Sequence, residues 1–384
     1  MRVVIIIVLL VSISTLTDSL FAQEIHFQKV AEIHPDQLQG SFITDITVNS
    51  SGFIAVSLND LAKVRLYDRS GKLINEYGRR GRGPGDFTNL MTVELTDTIV
   101  YAMDSGPSGR IHAFDRDNPE SYQTFLIPRS QHGSPLQMWH TEADNFLVEF
   151  RPSYSNLNIE DNLISKFGLI SLNNGDEIRP VFESRSNEMY VDQSDGGFSV
   201  SSMPFGRKNY IIPSGSHLYH NWSDDFTFNK IELSTSKKSP VNPGLTSERL
   251  SIDDESYRNY FFNQLGFSTD DNINEALVAL SSDRSERLRL RGIYSKIENR
   301  ENLHDTYPAY KWVAGDSERL CFGVYTQNHL TNDVACMDEN GTILGRGTLT
   351  SNVEILSQQG DFIAGVKELE YGLKSVVLYK VVYN

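Results

Sequence analysis

Between Leu66 and Phe87 the chain reads LYDRSGKLINEYGRRGRGPGDF. A short alternating run ends at Asp68, a Ser70-Gly71 turn follows, and a second run occupies Leu73 to Tyr77. The connection after it carries Gly78, Gly81, Gly83, Gly85 and Pro84. Alternation with a period of two, closed by turn residues, predicts antiparallel strands joined by tight hairpins. The glycine-rich connection predicts the end of one sheet and the crossing to the next. Looser versions of the turn recur at Asp115 to Pro119, Asn173-Asn174-Gly175 and Glu339-Asn340-Gly341.

Reading outward from that stretch gives a repeating count. Ile43 to Val48, Ile54 to Leu58, Val64 to Tyr67 and Leu73 to Tyr77 form one meander. Met91 to Leu95, Ile99 to Met103, Ile111 to Phe114 and Gln123 to Ile127 form a second. Gln137 to Thr141, Phe146 to Phe150, Phe167 to Ser171 and Ile178 to Phe182 form a third, with Pro152 to Ile164 as a loop excursion. A fourth starts near Tyr210 to Ile212 and runs through His217 to Trp222 and Phe228 to Leu233. A fifth holds Tyr310 to Ala314, Leu320 to Tyr325, Val334 to Met337 and Ile343 to Leu349. The last has three strands, Val353 to Leu356, Phe362 to Val366 and Val376 to Val382. One strand, Ile25 to Ile33, has no neighbour and supplies the missing member.

Repeats of about 40 residues, each built from four strands, are the mark of a β-propeller. The expected fold is therefore all-β: a six-bladed β-propeller closed by the N-terminal strand, which completes the last blade and removes the open edges. Between blades four and five the text turns charged and helical in period, from about 246 to 302. Tyr257, Tyr260, Phe261 and Leu265 are spaced for one helix face, and Ile273, Leu277 and Leu280 for another. Ser247 or Ser251 is the expected cap and Gly266 the expected stop. Blade connections run at the two faces of a propeller, so this insertion lies over one face. At the funnel mouth Tyr257, Phe261 and Leu265 would form a lid, and at the outer edge they would have no bearing on binding.

Residues 1–22 read as a cleaved secretory signal: Met1-Arg2, an apolar run from Val3 to Val11, and Leu20-Phe21-Ala22 before Gln23. The run is too short for a comfortable membrane span of about 20 residues. The expected product is an exported chain, 23–384, periplasmic or extracellular, with no membrane span after cleavage. Its net charge of −15 argues against nucleic acid, which needs a basic field. The two cysteines, Cys321 and Cys336, fall within about one residue of opposite positions on adjacent strands. That leaves a cross-strand disulfide and a pair of small buried thiols both open.

The motif Y-D-x-x-G-K-L-I followed by G-R-x-G-x-G-P-G-D-F resembles the six-bladed β-propellers of exported bacterial proteins, relatives of the NHL-repeat propellers. Tyr67, Asp68, Gly71, Gly78, Gly81, Gly83, Pro84, Gly85 and Phe87 carry the match. Tyr307 to Tyr310, Asp338 to Gly345 and the closing G-V-K-E-L-E-Y-G-L-K-S-V-V-L-Y are similar to the later blades. The resemblance implies a fold without implying one shared activity.

The glycine connection, with Arg79, Arg80 and Arg82, can form an anion-binding concavity or serve as a rigid crossing with Phe87 plugged between blades. No Lys-Ser/Thr follows it, so it is not a nucleotide loop. His217 and His220 lie three apart on a strand and point to opposite faces, which argues against a shared metal. Asp115-Arg116-Asp117-Asn118 lacks the glycine and terminal Glu of a calcium loop and reads as a turn. Some six-bladed relatives that open lactones or cleave amidated peptides bind a metal at the funnel. The inner-strand residues to compare, Asp45, Glu94, His140, Lys311 and Glu354, do not reproduce such a ligand set. The candidate ligand-binding residues are thus Asp45, Arg79, Arg82, His140, Lys311 and Glu354. No catalytic residue and no cofactor is identified, with a divalent metal in the funnel as the alternative. The expected role is a binding module for a peptide, glycan or small molecule. A metal-dependent hydrolase or lyase and a structural cell-envelope protein are the competing readings.

Overall fold

A computed structural model describes residues 23–384 except 107–108, 129–132, 143, 152–163, 175–176, 195–196, 246–248, 327–330, 370–372 and most of 266–302. The signal-sequence expectation and the second helical stripe, Ile273 to Leu280, fall outside the described residues. Of the described residues 57% lie in strands and 6% in helices, an all-β, propeller-like fold.

Four sheets are consecutive four-stranded meanders. The first holds β2 (Ile43–Val48), β3 (Ile54–Leu58), β4 (Lys63–Tyr67) and β5 (Leu73–Tyr77). The second holds β6 (Leu90–Leu95), β7 (Ile99–Asp104), β8 (Arg110–Asp115) and β9 (Tyr122–Leu126). The third holds β10 (Ser134–His140), β11 (Asn145–Arg151), β12 (Ile164–Ser171) and β13 (Arg179–Arg185). After the separate hairpin of β14 (Met189–Ser194) and β15 (Gly197–Ser202), the fourth holds β16 (Asn209–Ser214), β17 (His217–Trp222), β18 (Phe228–Glu232) and β19 (Lys238–Val241). The sequence reading resolved neither β19 nor that hairpin. Lys237-Lys238-Ser239-Pro240 carries no apolar alternation, and the strand is held by its pairing to β18.

The remaining strands make one eight-stranded sheet. It comprises β20 (Trp312–Gly315), β21 (Leu320–Val324), β22 (Thr331–Met337), β23 (Ile343–Thr350), β24 (Val353–Gln359), β25 (Phe362–Glu368), β26 (Lys374–Tyr383) and β1 (Gln23–Ile33). Its two halves are joined unequally. β1 pairs antiparallel with β26 over eight residues, Ile25 opposite Tyr383 through Ile33 opposite Val376. It meets β23 through only two parallel pairs, Gln23 with Gly345 and Glu24 with Arg346.

Burial runs from the centre outward. Every residue of β3 is buried, because both of its faces lie against neighbouring sheets, whereas β9 has no buried residue. Apolar clusters fill the gaps between successive sheets. Leu66, Tyr77, Phe87, Val93 and Phe114 join the first to the second. Met103, Phe146 and Phe150 join the second to the third, and Phe167, Phe182, Leu218 and Ile231 the third to the fourth. Tyr219, Phe228, Tyr310 and Phe322 continue to β20–β23. Ile25, Trp312, Val353 and Val377 link the halves of the large sheet. Ile33, Val48, Ile54 and Val376 return to β2. Each large buried apolar side chain contributes roughly 1.5–3 kcal/mol, so the ring is held mainly by these layers.

The turns follow their residues. Asp68 Oδ1 accepts from the Ser70 and Lys72 amides at 2.8 and 3.1 Å, and Gly71 adopts φ +82°. Asp338 repeats the arrangement with Asn340 and Thr342, both at 2.9 Å, and Gly341 at φ +88°. The Asp115 to Asn118 stretch is also a turn, with Asp115 Oδ1 accepting from the Asp117 and Asn118 amides. Helix α1 is one short turn, Pro35–Leu38, and α2 spans Asp254–Leu265. The cap of α2 is Asp253, whose Oδ1 accepts from Ser256 N at 2.7 Å, rather than Ser247 or Ser251. A carboxylate there satisfies a free first-turn amide and complements the helix dipole.

Candidate functional site: the central channel

The first strand of each meander, together with β20 and β24, faces the axis of the ring. β2, β6, β10, β16, β20 and β24 run in the same sense and enclose a cavity of about 410 Å³ along their C-terminal halves. Hairpins such as Asn49–Phe53 and Thr96–Ile99 close that end. Every connection from an outer strand to the next inner one crosses at the opposite end. That connection face carries the glycine loop, the β14–β15 hairpin and α2.

Inner strands share a local irregularity. Pairing skips one residue between Ile43 and Asp45 in β2, between Leu90 and Thr92 in β6, between Pro135 and Gln137 in β10, and between Ile355 and Ser357 in β24. Such bulges bend a strand and re-aim its side chains, here around the axis. In β2 the bulged Thr44 bonds Ser57 Oγ at 2.7 Å, and Asp45 turns toward β6.

Asp45 ties the two strands together. Its Oδ1 accepts from Ile46 N at 2.9 Å and its Oδ2 from Val93 N at 3.0 Å. Burial nevertheless pushes its carboxyl up to about 7, outweighing both bonds. Glu94 is held well above the carboxylate range, first by burial and then by the charge of Asp45. A bond from the His140 backbone amide pulls the other way. Asp45, Glu94 and the His140 backbone therefore meet in the channel. The His140 imidazole packs elsewhere, stacked on Tyr101 at 5.5 Å and edge-on to Phe146 at 5.2 Å.

Lys311 and Glu354 gather at the connection-face end with Lys208, which the sequence reading did not single out. Lys208 Nζ lies 3.2 Å from Glu354 Oε1. Burial alone would raise Glu354, but Lys208 and then Lys311 hold its carboxyl below the ordinary range. Burial lowers the Lys311 ammonium, and its Nζ donates to the Ser351 carbonyl.

Among the described residues, two polar side chains in the cavity wall are buried without a protein partner. The Gln358 amide is 4% exposed, and both its nitrogen and its oxygen are unpaired; Ser214, also 4% exposed, has a free hydroxyl. A polar group so enclosed costs free energy unless something in the lumen satisfies it. Aligning the ends of the inner strands would have found both residues, but their composition gives no signal.

Arg79 and Arg82 lie outside the channel, on the connection loop. Arg79 is exposed and its Nε bonds Asp86 Oδ1 at 2.9 Å, while Asp86 Oδ2 accepts from Gly83 N at 3.0 Å. The loop's own carboxylate thus fills the concavity that an anion would take. Arg82 contributes its carbonyl to Arg110, whose guanidinium also holds buried Asp104 at 2.6 Å. Phe87 is fully buried against His112 and Phe114. His217 packs edge-on to Tyr219, whereas His220 bonds Asn209 Oδ1 at 2.9 Å and packs on Phe182, so the two part to different faces. Among the described residues no group of three or more His, Cys, Asp or Glu is placed to hold a metal ion. Cys321 and Cys336 stand directly opposite on β21 and β22 and are joined by a disulfide.

Among the described residues no helix is long and apolar enough to cross a membrane. No protein-family profile and no curated protein matches the chain. Similar solved structures include a Bacteroides fragilis protein described as exported, at 13% identity and TM-score 0.49, covering 94% of this chain and 96% of that one. Virginiamycin B lyase of Staphylococcus aureus aligns at 11% identity and TM-score 0.43, covering 93% and 99%. Aldose sugar dehydrogenase of Streptomyces coelicolor aligns at 10% identity and TM-score 0.45, covering 94% and 99%. The propeller-like ring of sheets is read from this chain's own strand pairing and inter-sheet packing.

Proposed function

We propose that the chain is an exported six-bladed β-propeller acting as a binding module, which holds a peptide, glycan or small molecule in its central channel. The blade count follows from treating the eight-stranded sheet as two blades, β20–β23 and β24–β26 with β1. Two parallel pairs between β1 and β23 make a contact between neighbours rather than a continuous ladder. Six inner strands then surround one axis, and β1 closes the last blade.

The observation that carries the binding role is the polar cavity itself, with the unpaired amide of Gln358 and hydroxyl of Ser214 in its wall. A rigid ring presenting unmet hydrogen-bonding groups inward is suited to selecting a ligand. A screen of peptides, oligosaccharides and small metabolites by thermal shift on residues 23–384 tests this reading. At least one class is expected to raise the midpoint, with the effect abolished by Ser317→Trp, which plugs the hairpin-face exit at an exposed position. A stoichiometric divalent ion in the purified protein, released together with hydrolytic or lyase activity by Asp45→Asn, would replace the binding role with an enzymatic one.

A further inference from the structure

The connection-face end of the channel has an imbalance of charge and of hydrogen-bond donors. Lys208 and Lys311 bring two ammonium groups to the single carboxylate of Glu354. Glu368 and Lys374, which also act on this cluster, stand opposite one another on β25 and β26 and offset each other in charge. One positive charge is left over inside a chain whose net charge is −15. Lys208 and Glu354 keep 47% and 43% of their side-chain surface accessible; Lys208 immediately precedes β16 and Glu354 is the second residue of β24, which places the pair at the connection-face ends of two inner strands.

Tyrosines complete the wall. Tyr210 donates to the Lys311 carbonyl at 2.8 Å, which fixes its ring beside that lysine. Tyr325 stacks on Tyr307 with centroids 4.3 Å apart and an interplanar angle of 23°, and lies within electrostatic reach of Lys208 and Glu354. Tyr260 of α2 packs on Phe205 at 5.3 Å and likewise acts on Lys208 and Glu354. Among the described residues, neither the Tyr260 nor the Tyr325 hydroxyl has a protein hydrogen-bond partner. Two ammoniums and two phenols without a protein partner thus lie within electrostatic reach of a cluster whose one carboxylate, Glu354, is shared, with the Ser351 carbonyl taking one further bond from Lys311. An added oxyanion would supply the missing acceptor and the missing charge together.

We infer that this end of the channel binds the head group of a small organic oxyanion, a carboxylate or a phosphate monoester, between Lys208 and Lys311 with its organic body against the tyrosine rings. The inference rests on the channel being a binding site and specifies what one end of it takes. α2 contributes Tyr260 to the site.

Calorimetric titration of residues 23–384 with benzoate, phenyl phosphate and neutral benzamide tests it. Benzoate or phenyl phosphate is expected to bind at least tenfold more tightly than benzamide, and the tighter of the two identifies the head group. Lys208→Met and Lys311→Met should each weaken that binding at least tenfold, whereas Lys72→Met, a charge-matched change on a distant turn, should not. Tyr325→Phe removes one hydroxyl with almost no change in volume and should also weaken binding. It keeps the test intact if a lysine variant fails to fold. Equal binding of benzamide, insensitivity to the lysine and Tyr325 variants, or no binding of either anion overturns the inference. If a different ligand then binds and is displaced only by Ser317→Trp, the channel remains a binding site and only its anion specificity is lost.

Discussion

Asp45 and Glu94 place two carboxyl groups side by side in an enclosed lumen, and the cost of ionising both there has a pH signature. A carboxyl whose folded value lies above its unfolded one binds its proton more tightly when folded. Its stabilising contribution is complete below about pH 4, the ordinary aspartate value. That contribution is lost as pH rises through about 7, the value to which burial lifts Asp45. The gap corresponds to at most about 4 kcal/mol. Urea denaturation is therefore expected to show stability falling from about pH 4 to about pH 7, and Asp45→Asn should flatten that slope. Carboxyl-carbon NMR should place Asp45 near 7 and show Glu94 titrating lower once the neighbouring charge is removed. Two carboxyls titrating below pH 5 would show that the lumen is wetter than the packing implies. A second residue-scale expectation concerns Gly78, which adopts φ +74° with the Phe87 ring 2.0 Å from where a Cβ would stand. Gly78→Ala must strain the backbone and displace a fully buried ring. It should lower stability by about 2–4 kcal/mol, measurable as a fall in Tm.

At the scale of elements, the sheet that carries the disulfide offers a clean comparison. Cys321 and Cys336 are 15 residues apart and cross-strand partners, so the bond constrains a short loop of the unfolded chain. A closed loop of that length is worth about 3 kcal/mol. Cys321→Ser with Cys336→Ser should cost roughly that amount in chemical denaturation, and reductant should lower the midpoint of the native chain but not of the double variant. Elements of this kind were legible in the sequence because alternation and turn residues act locally. Asp68 with Gly71 and Asp338 with Gly341 announce their hairpins, and the inner strands fall where period-two patterning puts them. β19 was not legible, since its residues carry too little apolar alternation to mark a strand, and the β14–β15 hairpin, though Phe198 and Val200 alternate with serines, stands outside the four-strand repeat. The bulges of the inner strands were hidden too, because a skipped pair depends on the partner strand and leaves no mark in composition. The candidate site suffered most from this. Asp45, Glu94, Lys311 and Glu354 could be found as polar residues on inner strands. Lys208, Ser214 and Gln358 matter only through the ring that brings strands far apart in sequence to one axis. Arg79 and Arg82 drew notice for their charge, yet Asp86, a few residues on, already occupies the loop they belong to.

At the scale of the whole molecule, the two ends of the chain do the closing. β1 brings Ile25 into the core between the halves of the large sheet, and Ala31 and Ile33 into the core against β2. One strand thus serves two inter-sheet layers and covers the edge of β26 along eight paired residues. A linear array of sheets would tolerate losing a terminal strand, because each unit depends only on its neighbours and can fail alone. A closed ring has no unit at its end, so opening it anywhere exposes two faces at once. Removal of residues 23–33 should therefore abolish cooperative folding of the entire ring and leave an aggregation-prone edge at β26. The milder Ile33→Ala, at a fully buried position, should cost about 2–4 kcal/mol while preserving a single transition. Scanning calorimetry of the intact chain should give one transition whose calorimetric and van't Hoff enthalpies agree. If the truncated chain instead kept the same midpoint, or the intact chain melted in separate steps, the sheets would be stabilised independently and β1 would be an appendage. Cooperative loss on truncation would mean that channel geometry, and with it the spacing of Lys208, Lys311 and Glu354, is set by closure at a strand remote from the site.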